Sequence, residues 1–100
     1  MTTKLDPITP GEILLEEYLV PMVISQNQLA RAIDVPAGRI NEIVLGRRAI
    51  TADTAARLAV YFGTSVDLWI NLQARYDAKV AGEKLVPRLR QRIRPHRDAA

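Results

Sequence analysis

Cysteine is absent, so this 100-residue chain can form neither a disulfide nor a thiolate-ligated metal site, which agrees with a reducing compartment. Histidine occurs once, as His96 near the C-terminal end, and no glycine-rich phosphate loop is present. General acid–base and nucleophilic catalysis therefore lack their usual side chains. Glu16 and Glu17 are neighbours on a helical segment and diverge by about 100°, so they cannot converge on one substrate. The composition argues against an enzyme: no catalytic residue, metal, cofactor or small-molecule substrate is expected. No apolar run approaches the ~20 residues that span a bilayer, and the start MTTKLDPITP lacks the apolar core of a signal peptide. A cytoplasmic protein without membrane attachment is the expectation.

What is present is ordinary for a folded domain: 48% apolar and 25% charged residues, in a length that suits one small core. The net charge of +3 is uneven. Residues 83–100 hold Lys84, Arg88, Arg90, Arg92, Arg94 and Arg97 against Glu83 and Asp98, a local +4, whereas residues 1–82 carry eight basic and nine acidic side chains. The high isoelectric point thus belongs to the C-terminal segment, and only local clusters can argue for nucleic-acid binding by the body.

No segment alternates with period two, and the body divides into helical pieces, which predicts an all-α fold. Pro10 suits a first helical position in PGEILLEEYLV, and Pro21 is expected to end that helix. Ser25 caps QNQLARAI. After Asp34 and Val35, Pro36 opens the next helix, with Ile40, Ile43 and Val44 on its apolar face and Gly46 as its stop. Thr51 caps ADTAARLAVYF, which ends at Gly63, and Ser65 caps VDLWINLQARYDAKV. On that fifth helix Trp69, Leu72, Tyr76 and Val80 form one stripe, while Val66 and Ile70 form a second. Two stripes imply two partners, the core and another protein or subunit, although deeper burial in the domain's own core is the alternative. The expected division is an N-terminal extension over 1–9, a domain over 10–81 whose last helix dimerises, and a basic segment over 82–100 that is either a mobile arm or a short appended helix.

The second and third helices are short, closely spaced and able to share a core through Leu29, Ala30, Ile33, Val35, Ile40 and Ile43. That is the scaffold of a helix-turn-helix at about residues 25–46, whose outer helix face is free to enter a major groove. Any short α-hairpin has similar periodicity, so the polar residues carry the functional argument. Gln26 and Asn27 follow the cap Ser25, where amides and backbone N–H groups bond phosphate, and Arg47 and Arg48 sit past Gly46 at the far end of the reading helix. Singly, each has a plain reading as a solvated side chain.

The order of SQNQLARAIDVPAGRINEIV, GRRAITADTA and FGTSVDLWINLQARYD resembles the HigA antitoxin family, within the lambda-repressor-like or Xre-type helix-turn-helix class. The resemblance covers about Pro10 to Asp77 and leaves the segment from Ala78 onward without a counterpart. It implies a five-helix domain that binds double-stranded DNA at a palindromic operator as a homodimer, represses its own HigBA-type operon, and neutralises a RelE-like mRNA-cleaving toxin by direct binding. It points to Ala37, Gly38, Arg39, Asn41 and Glu42 as base-reading residues and to Gln26 for backbone contact, while Asn27, Arg47 and Arg48 are expected at phosphate from their own placement. Val66, Ile70 and Tyr76 are expected at the dimer or toxin interface, undivided between the two. Family members often carry a larger or basic residue where this chain has Gly38, so operator preference does not transfer. The alternative is a stand-alone Xre-type regulator with no toxin partner. Pro36, Ala37 and Gly38 read as clearance at the helix front, leaving base-edge hydrogen bonding mainly to Arg39 and Asn41.

Overall fold

A computed structural model describes residues 7–97; most of the expected N-terminal extension, residues 1–6, and the end of the basic segment, residues 98–100, lie outside the described residues. Among the described residues the fold is all-helical, with five helices and no strand. Helix α1 covers residues 10–22. Thr9 caps it, its Oγ1 accepting the Glu12 N–H at 3.1 Å, and Pro10 is the first helical residue.

Pro21 does not end α1. The helix widens into a π-helical stretch, Leu14–Leu19, and resumes as Val20–Met22, with the Val20 N–H bonded to the Leu15 carbonyl five residues back. A proline inside an α-helix lacks a donor, and its ring presses on the carbonyl four residues earlier. The wider turn inserts one extra residue and shifts that carbonyl, so the ring passes. The stop comes at Val23, whose φ of 56° is left-handed and lets Ile24 N–H close back on the Leu19 carbonyl at 2.9 Å. A β-branched residue is strained there. Its side chain is 86% exposed, so little packing offsets the strain. Val23→Gly is expected to stabilise the protein by about 1 kcal/mol, the relieved strain less glycine's entropy in the unfolded chain. A urea midpoint that fell would show that the valine makes contacts outweighing its backbone strain.

Helix α2 is Gln26–Ala32, started by a reciprocal cap in which Gln28 N–H donates to Ser25 Oγ at 3.0 Å and Ser25 N–H donates to Gln28 Oε1 at 2.9 Å. Helix α3 is Ala37–Val44. Pro36 is its cap rather than its first helical residue, with ψ at 143°, because the chain enters from an extended turn and proline tolerates that conformation. Helix α4, Ala52–Phe62, runs from the Thr51 cap to Gly63 at φ 71°. Helix α5 covers residues 66–89: Val66–Val80 from the Ser65 cap, a second π stretch Ala81–Leu85, and Val86–Leu89 around Pro87. Residue 82, where composition placed a boundary, is therefore mid-helix.

The core is filled by Leu14 and Leu19 of α1, Leu29 of α2, Ile40 and Ile43 of α3, Leu58 of α4 and Trp69 of α5. Trp69 is fully buried and donates Nε1–H to Thr64 Oγ1 at 2.8 Å. The Tyr18 ring lies 4.9 Å from both Phe62 and Trp69, centroid to centroid, which ties α1 to the α4–α5 junction. α1 also approaches α3 closely at Gly11, where a Cβ would overlap the Ile43 carbonyl and reach within 2.9 Å of the Val44 Cα. These contacts hold α3 with Ile40 and Ile43 inward and its other face outward.

Candidate nucleic-acid interface

The α2–α3 angle is set by a tight turn. Asp34 sits at φ 62°, a conformation its short polar side chain tolerates, and Val35 N–H returns to the Ala30 carbonyl at 2.9 Å. Arg57 of α4 secures this turn from outside. Its Nη1 donates to the Ile33 carbonyl at 2.9 Å and the Asp34 carbonyl at 3.3 Å, while its Nε donates to Asp53 at 2.9 Å. A guanidinium there satisfies terminal carbonyls and meets the negative end of α2. Sequence reading did not single out Arg57. The Asp53–Arg57 spacing of four signals a surface pair, but not its target on another helix.

On the outer face of α3, Ala37, Gly38 and Asn41 are exposed, and Arg39 and Glu42 are half-buried at its flanks. Nothing lies within 4 Å of a Cβ built on Gly38. With Pro36 as cap, α3 has no side-chain cap bond; the Arg39 N–H closes on the Pro36 carbonyl at 3.0 Å, and the positive end of the helix carries no capping side chain. Gln26, the first residue of α2, meets α3 directly: its Oε1 accepts from Asn41 Nδ2 at 3.2 Å. Two residues expected in different roles therefore form one pair across the hairpin. Asn27 is exposed beside it.

At the far end the two arginines are not equivalent. Gly46 at φ 79° turns the chain back, and Arg47 N–H closes on the Glu42 carbonyl at 2.8 Å. Arg48 then lies alongside α3, its Nε donating to Glu42 Oε1 at 2.7 Å. The Arg47 side chain is exposed.

The expected interface residues of α5 separate. Val66 and Ile70 are each 38% exposed on the outer face, whereas Tyr76 is half-buried and lines a crevice with Thr9, Arg47 and Arg48. Nearby Gln73, also unremarked in the sequence, accepts the Ile50 N–H at 2.8 Å and donates to Asp77 at 2.9 Å. Among the described residues, no cluster of His, Cys, Asp or Glu could hold a metal ion. None of their helices is long and apolar enough to cross a membrane.

A helix-turn-helix family model matches residues 15–69, from α1 through the start of α5. Antitoxin HigA-1 of Vibrio cholerae is 35% identical over 75 residues, which cover 75% of this chain and 70% of that protein. The chain belongs to the HigA family of helix-turn-helix proteins. Another relative is the virulence-associated protein I of Dichelobacter nodosus, 54% identical over 78 residues, covering 78% of this HigA-family chain and 72% of the relative. Pseudomonas aeruginosa antitoxin HigA, solved with the higBA promoter, matches with a TM-score of 0.83 and 44% identity over 89% of this chain and 97% of that one.

Proposed function

We propose that the protein is an antitoxin of a HigBA-type module that binds the palindromic operator of its own operon as a homodimer and neutralises a RelE-like, mRNA-cleaving toxin by direct contact. The observation that carries the DNA-binding half is the outer face of α3, held rigidly, cleared of bulk at Gly38 and braced against α2 by the Gln26–Asn41 pair. The similarity to an antitoxin solved with its promoter supports the same reading.

In this reading α3 enters the major groove front end first. The Ala37 methyl meets a thymine methyl, and the absence of a side chain at Gly38 lets the helix come close to the base edges. Asn41 gives one amide hydrogen to Gln26 and keeps its other hydrogen and its Oδ1 for an adenine edge. Arg39 reads beside it. Asn27 and the amide of Gln26 contact phosphate from the start of α2, and Arg47 does so from beyond α3. A two-fold dimer formed through Val66 and Ile70 presents two such helices to half-sites about one turn, or ~34 Å, apart. The cations of residues 84–97 add sequence-independent attraction to phosphate, a modest term that raises the salt dependence.

Gel shifts test the reading with a duplex from upstream of the protein's own reading frame. Wild-type protein is expected to bind the intact inverted repeat at least 10³-fold more tightly than a scrambled repeat, the usual order for a specific site over a non-specific one. Equal binding to both duplexes would remove the repressor assignment. Co-expression with the adjacent reading frame tests the other half: co-purification and restored growth are expected, and neither occurring would leave an autoregulator without a toxin.

A further inference from the structure

We infer that Arg48 reads a base and that Glu42 is the positioning residue that aims it, so that the two arginines after Gly46 have different tasks. This rests on the operator-binding reading above but goes beyond it, because the carboxylate expected to touch DNA becomes a support for a neighbouring cation.

Residue 42 is tied to the loop twice. Its backbone carbonyl accepts the Arg47 N–H at 2.8 Å, which fixes where the chain turns after Gly46. Its side-chain Oε1 accepts the Arg48 Nε–H at 2.7 Å, which fixes where the guanidinium points. Both side chains are about half exposed, 49% for Arg48 and 47% for Glu42, so the pair lies at the surface beside the reading face. An exposed ion pair contributes little to stability. Its effect here is orientation. With Nε engaged, the bond leaves both Nη groups as a planar two-pronged donor, the geometry that matches O6 and N7 of guanine.

The charges point the same way. An isolated carboxylate on a helix entering the major groove would face repulsion from phosphates, and compensation by Arg48 removes that cost. Arg47 is set differently: its amide closes the turn, and its side chain, exposed like that of Arg48, is not the one paired with Glu42, which suits a phosphate contact. The ligand feature recognised by Arg48 is thus one G·C pair in each half-site, near the end of α3 remote from Gly38.

The experiment uses full-length protein and a duplex selected by the wild type from a randomised pool, followed by every single-base-pair variant of that duplex. Failure of the wild type to enrich any sequence would count against operator binding as a whole, separately from this inference. Given enrichment, Arg48→Lys and Arg48→Ala are expected to lose discrimination at one G·C position per half-site by about 5- to 150-fold, while Arg47→Ala weakens all variants equally. Glu42→Ala is expected to lose discrimination at the same position as Arg48→Ala, and Glu42→Gln, which can still accept the Nε–H, to retain most of it. A uniform loss from Arg48→Ala would make Arg48 a phosphate contact. A loss from Glu42→Ala at a different position would make Glu42 itself a base reader. Either result overturns the inference, and the Gln and Lys variants decide the matter if an alanine variant folds poorly.

Discussion

Gly11→Ala is expected to destabilise the protein by at least about 3 kcal/mol, lowering its melting temperature by roughly 12–24 °C for a domain of this size. The added methyl would overlap the Ile43 carbonyl, and that carbonyl belongs to a helix pinned by the buried Ile40 and Ile43 side chains. A flexible side chain could rotate away, but a pinned backbone cannot. The relief available is to lift α1 off α3, which would expose Leu14, now fully buried. Gly82→Ala is the matched control, because nothing lies within 4 Å of a Cβ there and alanine favours the surrounding helix. Thermal unfolding followed by circular dichroism at 222 nm separates the two. Equal melting temperatures for Gly11→Ala and wild type would mean that α1 and α3 do not approach as closely as described.

Ile70→Glu is expected to convert the proposed dimer into a monomer while leaving the fold intact, since Ile70 is 38% exposed and stands about 100° around α5 from buried Trp69. Losing the second reading head removes the benefit of simultaneous binding, about 10²- to 10⁴-fold in affinity for the full operator, with half-site affinity unchanged. Further along α5, Leu85 is another exposed apolar residue. Light scattering measures the mass and gel shifts measure the affinities. A variant that stays dimeric but no longer co-purifies with the neighbouring gene product would assign this face to the toxin.

The helix starts were readable because caps are local chemistry. Ser25, Thr51 and Ser65 bond N–H groups three residues away, so their meaning is contained in a few adjacent letters. Gly63 likewise marks a left-handed stop by itself. The hairpin was legible for a similar reason, its core pairs being close in sequence. Features joining distant segments were not. Gly11 gives no hint of the carbonyl above it, and Arg57 reaches a turn 23 and 24 residues earlier. The Glu42–Arg48 pair depends on the left-handed turn at Gly46, which brings together side chains that a straight helix would keep apart. Pro21 misled for a subtler reason. The rule that proline breaks helices assumes a fixed number of residues per turn, and α1 changes that number locally.

That local change occurs twice, each time just before a valine–proline step: Leu14–Leu19 ahead of Val20-Pro21, and Ala81–Leu85 ahead of Val86-Pro87. Helix length and proline are thereby coupled. Deleting one residue from the first wide turn would restore ordinary α-geometry and drive the Pro21 ring into the chain, and replacing Pro21 alone would leave a surplus residue with no obstacle to bypass. Only the two changes together give an unbroken helix. In a set of relatives, a one-residue gap in this region should therefore travel with loss of the proline, a pattern of paired events that alignment by substitution alone would score as two unrelated accidents.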